Sequence, residues 1–170
     1  MNKLLILCGI PFSGKSTLAR VIVNRLKCEI VDLDEVKFEM FGSEVKDADL
    51  LQKDWDKVYQ SMYEEIQRLL KQGKTVVHDT GNFTRYERNL IRQIADKLGV
   101  ESKTIFVDTP KNIAYDRLLL NRKTKERFDV TDSDFESTVA EMEVPTENEN
   151  TITFKVGDDA DSWINEHLAG

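Results

Sequence analysis

The chain has 170 residues, 40% of them hydrophobic and 32% charged, with 8 glycines and 3 prolines. That is room for one domain with a buried core, and it excludes a disordered or fibrous chain. Lys and Arg number 24 against 31 Asp and Glu, a net charge of −7, so nothing draws the protein non-specifically to a nucleic-acid backbone, although a local basic pocket is compatible with that total.

In chain order, short apolar runs alternate with amphipathic helical stretches, the pattern of a parallel sheet covered by helices on both faces. Leu4 to Cys8 follows Met1-Asn2-Lys3 with a trace of a signal peptide, but the apolar stretch is short and Leu7 is too large for a cleavage site. Lys3 to Leu7 therefore reads as a first strand, running through Gly9 into a helix from about Lys15 to Leu26. Glu29 to Val31 is a second strand, and a turn at Asp32 to Asp34 opens a short helix through Phe41 that Gly42 stops. Leu51, Trp55, Val58, Met62, Ile66 and Leu69 mark the core-packing face of a long helix from about Asp47 to Lys71.

Lys74 to Val77 is the third strand, ending at His78 and Asp79, and a helix follows from about Arg85 to Leu98. Lys103 to Val107 is the fourth strand, Asn112 to Asn121 a helix, Arg122 to Arg127 a basic run, and Asp132 to Met142 another helix. The acidic Glu141 to Glu149 reads as a solvated connection to a fifth strand, Thr151 to Val156, and a closing helix from Asp159 to Leu168. No stretch approaches the roughly 18 apolar residues of a membrane span. Cys8 and Cys28, both among apolar residues and not at metal-ligand spacing, read as buried thiols of a reducing cytoplasm.

Gly9-Ile10-Pro11-Phe12-Ser13-Gly14-Lys15-Ser16 fits G-x-x-x-x-G-K-[ST] and lies between a predicted strand and a predicted helix, the context of a phosphate-binding loop. Its backbone N–H groups and the helix N-terminus suit the β-phosphate of ATP. Lys15 suits the β- and γ-phosphates, and Ser16 a Mg²⁺ ion. Phe12 would be strained at a positive φ, so an ordinary φ is expected there. Asp79 is followed by Thr80 and not Glu, and no Asn-Lys-x-Asp is present. Those absences argue against a large hydrolytic ATPase and a GTPase, and leave the outline of a small kinase.

Asp32 and Asp34 follow the second strand at the carboxyl edge of the sheet, where open α/β folds build their sites. Asp32 is assigned to the Mg²⁺ shell and Asp34 to the base that takes a proton from an attacking hydroxyl, with capping of a helix beginning at Glu35 a compatible role for Asp34. Lys37 faces either the acceptor or solvent. Asp79 is the metal-side acid, with Asp108 its rival, and His78 reads as a strand side chain. Arg122-Lys123-Thr124-Lys125-Glu126-Arg127 reads as part of a lid over about 122–131 that closes on ATP. Arg122 and Arg127 reach phosphate in this reading, and Arg117 supports them.

These residues resemble the P-loop kinase family that includes 5′-polynucleotide kinases and zeta-toxin-like kinases. The resemblance runs from Leu4 to about Glu149, through the Gly9 to Thr17 loop, Val31-Asp32-Leu33-Asp34, Val77 to Thr84, the spaced Arg117, Arg122 and Arg127, and Glu143-Val144-Pro145-Thr146. It implies a three-layer α/β/α fold whose five-stranded parallel sheet has the order 2-3-1-4-5, and transfer of the γ-phosphoryl of ATP to a hydroxyl. It also implies the base role of Asp34 and acceptor-side roles for Asp79 and for Arg85 or Arg88. The Asp-x-Asp is similar to that of gluconate and shikimate kinases too. Glu35 stands where the family often has Asp, and Lys37 where it often has Arg. Lys cannot contact a phosphate bidentately, so a small-molecule acceptor is preferred to a polynucleotide, and an ATP-binding switch or slow ATPase without an acceptor is the other alternative.

Overall fold

The computed structural model describes residues 1–168. Five parallel strands, β1 (Lys3–Cys8), β2 (Glu29–Asp32), β3 (Val76–Asp79), β4 (Glu101–Asp108) and β5 (Thr151–Lys155), form one sheet in the order β2-β3-β1-β4-β5. The helices are α1 (Lys15–Leu26), α2 (Leu33–Phe41), α3 (Gln52–Lys71), α4 (Arg85–Lys97), α5 (Lys111–Thr124), α6 (Asp132–Glu141) and α7 (Ala160–His167). The expected sheet order and layering are those observed.

Alternation along the strands sends successive side chains into two different cores. Leu5 and Leu7 of β1 join Val77 and Ile105 under α1 and α7, where Ile22 and Trp163 close the packing. Leu4 and Ile6 join Val31 and Val76 under α3 and α4, against Met62, Ile66 and Ile91. Because helices cover both faces, Leu4 to Cys8 are all buried, which is why β1 reads as a continuous apolar run. A smaller cluster of Ile10, Ala114, Leu118 and Phe135 fastens α5 and α6 to the loop after β1. Among the described residues no helix is long and apolar enough to cross a membrane.

Several expected boundaries move. The stretch before α3 is a single 3-10 turn, Asp47–Asp49, and α3 itself starts at Gln52, where the Asp54 carboxylate accepts the Leu51 N–H at 3.1 Å. Only the lower part of its apolar stripe is core: Val58, Met62, Ile66 and Leu69 are buried, whereas Leu51 is 60% exposed. The β3 strand extends through His78 and Asp79, and α5 continues through Arg122 to Thr124. Cys28 is half-buried, unlike Cys8.

The acidic connection is not fully solvated. Glu149 is 1% exposed and takes a two-pronged contact from Arg88, Nε to Oε2 at 2.7 Å and Nη2 to Oε1 at 3.1 Å. Arg92 adds a third contact at 3.2 Å. A carboxylate 61 residues from its guanidinium leaves no local sequence signal of burial.

Candidate active site

Register decides what meets at the carboxyl edge of the sheet. Asp32 of β2 lies opposite Asp79 of β3, and β1, beside β3, delivers the Gly9 to Gly14 loop to the same edge. Gly9 has no room for a side chain, since a Cβ there would lie 2.8 Å from the Val107 carbonyl and 2.8 Å from Ser13 Oγ. Gly14, at φ 103°, makes the left-handed turn into α1. Phe12 departs from expectation: its φ is 60°. Its ring packs against the cluster of Ile10, Leu118 and Phe135, and Arg117 Nη1 donates to the carbonyls of Phe12 at 3.2 Å and Ser13 at 2.9 Å. Tertiary contacts thus hold a strained conformation that local preference disfavours.

Lys15 Nζ donates to the carbonyls of Gly9 at 2.7 Å and Ile10 at 2.9 Å, and it lies 5.9 Å from the Phe83 ring centre. Burial pushes its ammonium down to about 8, with Asp79 opposing. Ser16 hydrogen-bonds the Asp79 carboxylate, which burial holds above the ordinary range against the pull of Ser16 and Lys15. Asp32 is raised to about 6 by burial and then by repulsion from Asp79. Two crowded carboxylates beside a hydroxyl are an arrangement that a hard divalent cation relieves. The Ser13 hydroxyl, also in this loop, is buried with no partner among the described residues. The hydroxyl, the paired acids and the cradle of a phosphate loop therefore fit Mg²⁺ with a nucleotide triphosphate. The alternative acid, Asp108, lies at the end of β4 opposite Lys155.

Asp32 and not Asp34 caps the helix, which begins at Leu33: its Oδ1 accepts the Asp34 N–H at 2.7 Å and the Glu35 N–H at 3.1 Å. Asp34 itself is exposed, with Oδ1 accepting from Lys37 Nζ at 2.7 Å. Lys37 is neither a solvent lysine nor a free acceptor ligand, since it is 4% exposed and its ammonium sits 2.7 Å from both Asp34 and Asp47. Burial opposes that charge, but the two carboxylates outweigh it and raise the Lys37 pKa. Arg88, expected near the acceptor, is fully buried on Glu149 and the carbonyls of Asn82 and Phe83. It holds the loop after β3 in shape. Arg85 is exposed, and among the described residues only its backbone N–H donates, to Glu143 at 2.8 Å.

His78 is fully buried, and burial lowers it to about 3, so it stays neutral and outside any proton transfer at ordinary pH. Asn82 links the core to the site by donating to Leu7 O at 2.7 Å, with its amide 3.2 Å from His78 Nδ1.

Of the basic run, Arg127 points at the loop, with Nη2 3.5 Å from Thr17 Oγ1. Arg122 points away from it: its guanidinium is held by Asp129 at 2.9 Å, Asp132 at 2.8 Å and the Val130 carbonyl at 2.9 Å.

Two cavities flank this centre. One, about 370 Å³, is lined by Phe12 to Gly14, Thr17, Arg117, Asn121, Arg127 and the Phe154 to Gly157 turn. The other, about 360 Å³, is lined by Asp34, Asp47, Trp55, Tyr59, Phe83 and Glu87 among others. They share no lining residue: Gly14 and Thr17, the chain neighbours of Lys15 and Ser16, line the first, whereas His78 and Thr80, the neighbours of Asp79, and Phe83, whose ring centre is 5.9 Å from Lys15, line the second. The second cavity escaped the sequence, because Trp55 and Tyr59 sit at the same helical spacing as the core residues below them.

The AAA_33 family model, described as an AAA domain, matches residues 4–145. The chain belongs to this family. Its third strand nevertheless ends at Asp79, which is followed by Thr80 and not by the Glu of the large hydrolytic machines. Among individual proteins, the AAA domain is similar to a shikimate kinase of Clostridium botulinum (strain 657 / Type Ba4), 31% identical over 86 residues, 51% of this chain and 50% of that one. A second, from Clostridium beijerinckii, is 26% identical over 110 residues, 65% of this chain and 61% of that one. The chain thus spans between half and two thirds of the length of these curated relatives. Among solved structures it superposes on Chaetomium thermophilum Kti12 in complex with ADP-AlF3 with a TM-score of 0.76, at 19% identity, over 98% of this chain and 100% of that one. It also superposes on Mycobacterium tuberculosis APS kinase CysC in complex with AMPPNP and APS, with a TM-score of 0.71 at 19% identity over 99% and 96% of the two chains. At this identity the two likenesses establish the fold.

Proposed function

We propose that the protein is a Mg²⁺-dependent kinase that transfers the γ-phosphoryl of ATP to a hydroxyl of a small molecule. The observation that carries this reading is the pair of separate cavities with no shared lining residue, one walled by the phosphate loop and Arg127, the other by Asp34 and by Phe83 beside Lys15. A hydrolase needs only the first. The names of the shikimate kinases and of the APS kinase among its likenesses support the class.

In this reading the loop from Gly9 to Thr17 binds the phosphates, and Lys15 leaves the Gly9 and Ile10 carbonyls for the β- and γ-phosphoryl oxygens. Ser16, Asp32 and Asp79 would hold Mg²⁺, which supplies charge neutralisation on the β- and γ-phosphates. Asp34 takes the proton of the acceptor hydroxyl as its oxygen bonds to the γ-phosphorus and the bond to the bridging oxygen of ADP breaks. Lys37 fixes the Asp34 carboxylate at the cavity wall. Arg127 neutralises charge on the phosphoryl in flight, Arg117 braces the loop through the Phe12 and Ser13 carbonyls, and Arg122 organises the lid over about 122–131 that closes on ATP. The free thiols Cys8 and Cys28 and the use of ATP fit a cytoplasmic protein.

Within the broader resemblance to polynucleotide and zeta-toxin-like kinases, the cavity favours a small acceptor. Lys37 is occupied by two acids and Arg88 is buried on Glu149, which leaves Arg85 as the one cation of that group open to a 5′ end. The test is a screen of hydroxyl compounds and 5′-hydroxyl oligonucleotides with labelled ATP and Mg²⁺, repeated with Asp34→Asn. Transfer to a small molecule is expected, lost by roughly 10²–10⁴-fold in the variant with ATP binding retained. Transfer that is indifferent to Asp34→Asn, or ATP hydrolysis with no acceptor, overturns the reading.

A further inference from the structure

The acceptor cavity differs from the nucleotide cavity in charge and in aromatic content. Its charged lining residues are all acids: Asp34, Asp47 and Glu87. Lys37 binds one oxygen of Asp34 and one of Asp47, so the three lining acids exceed the cation paired with them by two formal charges, with Lys15 behind the Phe83 ring on the phosphate-loop side. Glu87 spends Oε2 on the Thr84 N–H and hydroxyl at the start of α4.

The remaining wall is aromatic. Trp55, Tyr59 and Tyr63 rise one turn apart along α3, with successive ring centres 6.2 Å apart in both pairs. The Tyr59 and Tyr63 hydroxyls and the Trp55 indole N–H make no hydrogen bond among the described residues. Burial and then the charges of Glu87, Asp47 and Asp34 raise the Tyr59 pKa, so the acidic field reaches this wall.

Lys37 shows what such a surface does to an ammonium group. Its Nζ is bracketed by two carboxylates at 2.7 Å and lies 4.7 Å from the Phe38 ring centre and 5.7 Å from that of Trp55. Carboxylates for charge and ring faces for the cation–π attraction are the two components of ammonium recognition. A carboxylate or sulfate ligand would meet acids here and no lining cation.

We propose that the acceptor is a hydroxyl compound that also carries an ammonium group, an amino alcohol or amino sugar, seated with its cation against Trp55 and Tyr59 between Asp47 and Glu87 and its hydroxyl toward Asp34. This deepens the kinase reading and rests on it for the phosphoryl transfer. The ammonium group keeps its proton throughout, and the proton released on phosphorylation comes from the hydroxyl.

Binding is tested without nucleotide, by Trp55 fluorescence, since the other tryptophan, Trp163, is buried in the opposite core and gives a constant background. The probes are choline and its neutral isostere 3,3-dimethylbutan-1-ol, then glucosamine, glucose and gluconate. Choline should bind at least about tenfold tighter than the isostere, and glucosamine tighter than glucose, with gluconate weakest. Asp47→Asn and Glu87→Gln, the latter keeping the helix cap, should each weaken choline roughly three- to tenfold and leave the isostere unchanged. Equal affinity within a pair, preference for gluconate, or no cation binding at about 10 mM overturns the inference. Steady-state transfer from ATP separates the two levels. Turnover confined to neutral or anionic acceptors sinks the ammonium proposal and leaves the kinase reading, whereas cation-selective binding with no transfer to any acceptor sinks the kinase reading and leaves only the ammonium-binding site.

Discussion

Arg88 is where the family resemblance and the structure part company, and Glu149→Gln distinguishes them. The substitution keeps the shape of the side chain and removes its charge. Arg88 is fully buried and Glu149 1% exposed, so the guanidinium cannot turn to water, and its two contacts at 2.7 and 3.1 Å lose their ionic partner. Leaving one member of such a pair uncompensated costs about 3–5 kcal/mol. At about 2–4 °C per kcal/mol for a domain of this size, the melting temperature should fall by roughly 10 °C. Arg88→Met should cost less, about 2–3 kcal/mol, because Arg92 at 3.2 Å still faces Glu149.

Urea unfolding followed by circular dichroism measures both. Burial works against the Glu149 charge, but Arg88 and its neighbours outweigh burial and hold the carboxyl below its ordinary value of 4.5. Its contribution is therefore complete above that pH and disappears as pH falls through the lowered value. The gap between wild type and Glu149→Gln should accordingly narrow in acid. Arg88→Met with wild-type stability and a selective loss of acceptor turnover would refute a purely structural Arg88.

Three further outcomes follow from the phosphate loop and its acids. Burial lowers Lys15 to about 8, and phosphate binds the protonated form, so the Kd for ATP should rise several-fold from pH 7 to pH 9, and Lys15→Arg should flatten that rise; a flat wild-type profile counts against the assignment. Asp32, raised to about 6 from 3.8, destabilises the fold increasingly as pH climbs through that window. Asp32→Asn, which can still cap α2, should therefore be more stable at pH 8 by about 1 kcal/mol after allowance for solvent screening, with little difference at pH 4, and it should lose Mg²⁺-dependent turnover. Gly9→Ala places a methyl 2.8 Å from the Val107 carbonyl and should weaken ATP binding at least about tenfold, measured by nucleotide titration.

The order of strands and helices and the phosphate loop were legible in the amino-acid sequence because both are local. Leu4 to Cys8 announces a strand buried on both faces, and the glycines, Lys15 and Ser16 of the loop are contiguous, so backbone geometry and chemistry are written in one stretch. Asp32, Asp34 and Asp79 were legible as candidates because strand ends in this architecture converge on one edge.

Tertiary structure decided what depends on partners far along the chain. Phe12 takes φ 60° because α5 and α6 pack on its ring and Arg117 holds its carbonyl. Arg88 turns inward because Glu149 waits 61 residues away, and Arg122 turns from the loop to Asp129 and Asp132. The long apolar stripe of α3 divides at about Val58, since the sheet covers only its lower part and leaves Trp55 and Tyr59 to wall a cavity. Helical spacing fixes which residues share a face, but only the neighbours packed on that face determine whether it meets core or ligand.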